Sequence, residues 1–111
     1  MGIIYKGTKY EVPIESPMQL VGARLYNLAT RTVVNMVLSD EQLVEITNDE
    51  GEVTSSYYTY NASIAAADTA KIPQGIYNLE LYNGDVGSEV IVAYYEHYAQ
   101  VKESSFTQDY A

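Results

Sequence analysis

His97 is the one histidine of this 111-residue chain, and Glu96 is the acid beside it. Neighbouring side chains on a strand point to opposite faces, so Glu96 is poorly placed to work with His97. General acid–base or nucleophilic chemistry needs several converging groups, and the chain has neither a second histidine nor any cysteine. Asn48-Asp49-Glu50-Gly51-Glu52 and Asn83-Gly84-Asp85 carry oxygens that calcium favours. Neither has the Gly and Glu spacing of an EF-hand loop, and hairpin turns use the same residues for backbone reasons. The 15 acidic residues offer many carboxylate pairs, but nothing in their spacing sets one at the separation glycoside cleavage requires. The pattern predicts no enzyme, no cofactor and no metal centre.

Tyrosine is the residue left with something to explain: 12 Tyr stand against 1 Phe and no Trp. Two clusters are candidates for an interaction surface, Tyr57, Tyr58 and Tyr60 in one and Tyr94, Tyr95 and Tyr98 in the other. On a strand Tyr58 and Tyr60 share a face and Tyr57 lies opposite, which predicts at least one exposed ring. Exposed aromatic rows stack on sugars or bury against proteins, while core and edge packing is the competing reading.

Charge narrows the partners. The net charge is −9, and the six basic residues (Lys6, Lys9, Arg24, Arg31, Lys71, Lys102) are scattered. A phosphate-rich surface would repel such a chain, so the sequence predicts neither nucleic-acid nor membrane binding. The start, Met1-Gly2-Ile3-Ile4-Tyr5-Lys6, lacks the basic and apolar regions of a secretory signal, and no apolar run is long enough to span a bilayer.

The elements that must position these residues are strands. Tyr77, Leu79 and Leu81 alternate with Asn78 and Glu80, which predicts a strand with one buried face. Ile72-Pro73-Gln74-Gly75 leads into it as a turn, and Asn83-Gly84 follows as a type I′ hairpin signal. Residues 24–38 are dense in β-branched side chains, with Ala29-Thr30-Arg31 a turn, bulge or continuation. Residues 39–42 read as a turn, 43–47 and 53–60 as strands, 62–70 as an alanine-rich stretch with a helical turn, and 89–101 as a long strand. Near the start, 2–6 and 9–14 flank Gly7-Thr8 as a hairpin or as an arm on a neighbouring molecule, with Ile3, Ile4, Tyr5, Tyr10, Val12 and Ile14 its apolar residues. The whole predicts an all-β fold, an antiparallel sandwich of about seven strands over 21–101, with an N-terminal hairpin or arm over 1–20 and a tail over 102–111.

Asp68-x-Ala70 followed by Gly75-x-Tyr77-x-Leu79-x-Leu81 resembles the E–F corner of immunoglobulin-like sandwiches, where a tyrosine bonds back to the corner. The cysteine two residues after that tyrosine and the core tryptophan are absent here. Residues 72–85 also resemble immunoglobulin-like modules of bacteriophage virions, found in baseplate, head-fibre and capsid-auxiliary proteins. The resemblance implies a non-enzymatic virion protein, foremost a capsid auxiliary or decoration protein that binds capsid or other virion proteins, or its own copies. A baseplate or tail component is the variant of that expectation. A carbohydrate-binding module using the exposed tyrosines is the rival, with a glycan as partner.

Overall fold

Runs of β-branched and tyrosine residues, cut by Gly, Asn and Pro, fold into seven strands and one short helix. The structure, a computed structural model, describes residues 1–85 and 87–104. In chain order the elements are β1 (Gly2–Tyr5), β2 (Tyr10–Ser16), β3 (Gly22–Asn27), β4 (Thr32–Thr47), β5 (Val53–Ile64), α1 (Ala66–Thr69), β6 (Gly75–Asn83) and β7 (Val90–Lys102). Hydrogen bonds join all seven strands in the order β1-β7-β6-β3-β4-β5-β2. The all-β expectation holds, and the arrangement is a single mixed sheet nearly closed into a barrel. The pair β1–β7 is parallel and every other pair is antiparallel.

Strand β4 makes the sheet curl. It pairs with β3 from Thr32 to Met36 and with β5 from Val37 onward, so it leaves one half of the sheet and enters the other. A strand that changes partners in this way turns a corner and lets the two halves face each other. Ala23, Leu25, Tyr77, Leu79, Leu81, Ala99 and Val101 come from one half, and Ile14, Tyr60, Ala62 and Ile64 from the other, into one buried core. The alternation in β6 is as predicted, with Tyr77, Leu79 and Leu81 all buried.

The 39–42 segment, expected as a turn, is a β-bulge inside the continuous strand β4. The register passes from Ser39↔Asn61 to Gln42↔Thr59, and Asp40 takes φ 55°. A short carboxylate side chain tolerates that left-handed conformation better than most, so turn-like residues serve here to kink a strand without ending it. Ala29-Thr30-Arg31 is a true turn: Asn27 Oδ1 accepts the N–H groups of Ala29 and Thr30 at 3.0 and 3.2 Å.

The first two strands do not pair with each other. They form the two opposite edges of the sheet, β1 on β7 and β2 on β5, joined by a turn in which Thr8 N–H donates to Tyr5 O. Ile4 and Ile14 are buried in the core, Tyr10 and Val12 pack against it, and Ile3 and Tyr5 are exposed. Residues 2–16 are thus built into the barrel of this protomer. The helix α1 closes the same end, because buried Thr69 Oγ1 accepts Gly7 N–H at 3.1 Å and donates to Thr8 O at 2.7 Å. No helix among the described residues is long and apolar enough to cross a membrane.

Two features at the ends of β6 set its place. The Tyr77 hydroxyl donates to Pro73 O, four residues upstream, at 2.8 Å, and this bond ties the start of β6 to the turn before it. The other end departs from the expected type I′ hairpin. Asn83 stays in the strand opposite Val90 and only Gly84 turns left-handed, at φ 96°, with Asn83 Oδ1 accepting its N–H. Gly87, at φ 86°, supplies the second left-handed position, beside a turn in which Ser88 N–H donates to Asp85 O.

These details separate the two glycines. A Cβ at Gly84 would lie 2.7 Å from Ser88 O, whereas one at Gly87 would meet open space. Both carry the left-handed cost of about 1–2 kcal/mol, and only Gly84 adds a backbone clash. Urea unfolding is expected to show Gly84→Ala losing clearly more stability than Gly87→Ala. Tyr77→Phe, which deletes the bond to Pro73, is expected to cost about 1 kcal/mol in the same measurement.

Candidate functional site

The sheet stops supporting β4 and β5 before those strands end. Strand β2 follows β5 only as far as Ser16↔Tyr58, and β3 leaves β4 at Met36. Beyond, 44–47 pairs with 53–57 alone, as a two-stranded ribbon. At about 3.3 Å per residue the paired part reaches about 13 Å past the sheet before its turn. The molecule is accordingly long, 60 × 31 × 20 Å, with a radius of gyration of 16.4 Å. A compact domain of this length would have about 13 Å.

The ribbon's turn is well made. Asn48 Oδ1 accepts the N–H groups of Glu50 and Glu52 at 2.9 and 3.0 Å, Asn48 O accepts Gly51 N–H, and Gly51 is left-handed at φ 82°. The Asn48 side chain is therefore spent on the backbone. Along the ribbon, Ile46 and Val53 keep 48% and 53% of their surface in water, and Leu43 at its base keeps 51%. Leu43 stands opposite Tyr58 on one face, and Val44 and Ile46 stand opposite Tyr57 and Ser55 on the other. Acids surround these apolar residues: Glu45, Asp49, Glu50 and Glu52, with no Lys or Arg anywhere between Arg31 and Lys71. A bare two-stranded hairpin is marginal in water, and the apolar side chains of this ribbon have no covering layer among the described residues.

The six candidate tyrosines do not form one row. Tyr60 is buried; its hydroxyl accepts Leu20 N–H at 2.7 Å and donates to Glu41 Oε1 at 2.7 Å, while Gln19 Nε2 holds the same carboxylate. Tyr58 packs against the core, and Tyr57 is half-buried on the ribbon's other face. Tyr94 and Tyr95 are both about half exposed, Tyr94 opposite Glu80 and Tyr95 opposite buried Leu79, where it meets Tyr98 with ring centroids 6.2 Å apart. Tyr98 in turn packs on the core and shares a hydrogen bond with Tyr10.

The structure also gathers residues that sequence spacing held apart. Glu96 and His97 line one cleft together with Tyr94, Asn78 and Gln74, because β7 bulges there and breaks the strand alternation. No run of residue types announces that bulge. Among the described residues no three His, Asp or Glu side chains converge as a metal site would require. No family model, curated protein or solved structure matches the chain.

Burial also tunes the tyrosine hydroxyls. It pushes Tyr60 up, with the Leu20 N–H pulling down and the Glu41 carboxylate pushing up again. It likewise raises Tyr77, Tyr98 and Tyr10, the last with added repulsion from Tyr98. A folded-state value above the unfolded one means that the unfolded chain releases its phenolic protons first as pH rises. The native state is then fully favoured below about pH 10 and loses stability above it. Urea midpoints are expected to fall between about pH 9 and about pH 11, and the fall is expected to be shallower in Tyr10→Phe.

Proposed function

We propose that this chain is a non-enzymatic assembly protein of a bacteriophage particle, foremost a capsid auxiliary or decoration protein, that docks on another virion protein through the β4–β5 ribbon. The ribbon carries the reading: apolar Ile46 and Val53 stand half in water on a two-stranded projection with no third strand behind it, and Leu43 is half in water at its base. A ribbon of that kind gains most when a partner covers it or extends it by a further strand. Its acids favour a partner surface with basic residues around an apolar groove, and they speed encounter with it. The likeness of residues 72–85 to immunoglobulin-like virion modules, with the Tyr77–Pro73 bond at the start of β6, supports placing the partner in a phage particle and the fold near an immunoglobulin-like sandwich.

The exposed positions give a clean test. Ile46→Asp combined with Val53→Asp leaves the buried core untouched, so thermal unfolding is expected to move little, by about 0.5 kcal/mol per site. The unaltered chain is expected to co-sediment with purified particles of the phage that encodes it, and the double variant to stay in the supernatant. Equal co-sedimentation of the two would remove the ribbon from the interface. Neighbouring genes that encode no capsid, portal or tail protein would remove the virion.

A further inference from the structure

A second site lies on β7 and owes nothing to the ribbon. Opposite Asn78 of β6, β7 carries Glu96, His97 and Tyr98 between the register pairs Leu79↔Tyr95 and Tyr77↔Ala99. That is two residues more than a regular ladder holds. His97 takes φ 50°, a left-handed conformation uncommon for a residue other than glycine. Asn78 holds it. Its Oδ1 accepts His97 N–H at 2.9 Å, and its Nδ2 donates to the Tyr94 hydroxyl at 2.8 Å. A single amide therefore fixes the bulged backbone and the polar tip of an exposed ring at once.

Between the bulge and the β3–β4 turn opens a cleft of about 440 Å³, lined among others by Leu28, Gln74, Ile76, Tyr94, Glu96 and His97. We propose that this cleft binds a pyranose sugar, with the Tyr94 ring as the stacking surface and Glu96, His97 and Gln74 as hydrogen-bonding partners. A pyranose presents a patch of C–H groups on one face and a rim of hydroxyls, each both donor and acceptor. The cleft presents the complement. The Tyr94 ring is 48% exposed and held in orientation from its hydroxyl end, with Leu28 and Ile76 as further apolar wall. Around it stand a carboxylate acceptor, an imidazole and the Gln74 amide, whose Nε2 also donates to Glu103 Oε1 at 3.3 Å. No Lys or Arg lines the cleft, so a phosphate or carboxylate ligand would find no counter-charge there. The volume lies within the usual range for small-molecule sites, and bulges are favoured where a strand must re-aim side chains at a ligand.

The test is a titration of the ¹⁵N-labelled full chain with methyl glycosides of glucose, galactose, mannose, N-acetylglucosamine and rhamnose, followed by two variants. At least one glycoside is expected to shift the amides of Asn78, Glu96 and His97 to saturation. Tyr94→Ala, at an exposed position, is expected to keep the fold by circular dichroism and to weaken that binding by about tenfold or more. Ile91→Ala, on the same strand and outside the cleft, is expected to leave the affinity unchanged. The proposal is overturned if no glycoside moves these amides, if the shifts map elsewhere, or if Tyr94→Ala binds as tightly as the unaltered chain. The ribbon variant Ile46→Asp/Val53→Asp is expected to bind the glycoside normally, so either site can fail without the other.

Discussion

Strand β4 holds the architecture together by having two partners in succession. Its first residues complete the half of the sheet that contains β3, β6, β7 and β1, and the rest of it serves the half that contains β5 and β2. Without that exchange the two halves would have no covalent strand in common and no reason to face each other across one core. The same exchange makes β4 longer than either neighbour can support. Past Ser16, where β2 stops following β5, β4 and β5 run on as the ribbon, and its turn chemistry at Asn48 and Gly51 keeps it paired where no third strand helps.

Irregular backbone shapes the other candidate site. Ladders that run without interruption place alternate side chains inward and outward, which is sufficient for a core and poor for a site. The Asp40 bulge ends the run of even-numbered Val34, Met36 and Leu38 against the core and shifts the register, so that Leu43, half in water, comes opposite Tyr58. The wider bulge at His97 brings Glu96 and His97 to one cleft and leaves Tyr94 half exposed above it. Both departures use non-glycine residues at positive φ, and the one at His97 is held by Asn78. Strain of this kind costs roughly 1–3 kcal/mol per residue and persists only where surrounding contacts impose it.

What the residues revealed in advance follows the range of the forces involved. Period-two alternation with one buried face exposed β6 directly, and the alanine-rich stretch before it did become the helical turn α1. The turn at Gly7-Thr8 was legible too, but the partners of β1 and β2 were not, because pairing between 2–5 and 99–102 is decided across the whole chain. Ser39-Asp40-Glu41-Gln42 has the residue types of a turn, and nothing local says that tertiary pairing will carry a strand straight through them. The cleft was hidden for the same reason: Glu96 and His97 share it only because two extra residues break the alternation that sequence reading assumes. The tyrosines misled in another way. Their type fits a half-buried strand face wherever one occurs, so proximity in sequence placed Tyr57, Tyr58 and Tyr60 in three different environments.

The central claim is that the ribbon is a docking element left without support in the free protein. Residue-resolved hydrogen exchange reads that directly, since a segment with few buried contacts opens at a free energy well below the global one. In the free protein, the amides of 44–47 and 53–57 are expected to exchange much faster than those of Leu79 and Leu81, and to become protected when the protein sits on its particle. Ribbon amides as protected in the free protein as those of β6, or left unprotected after assembly, would contradict the account.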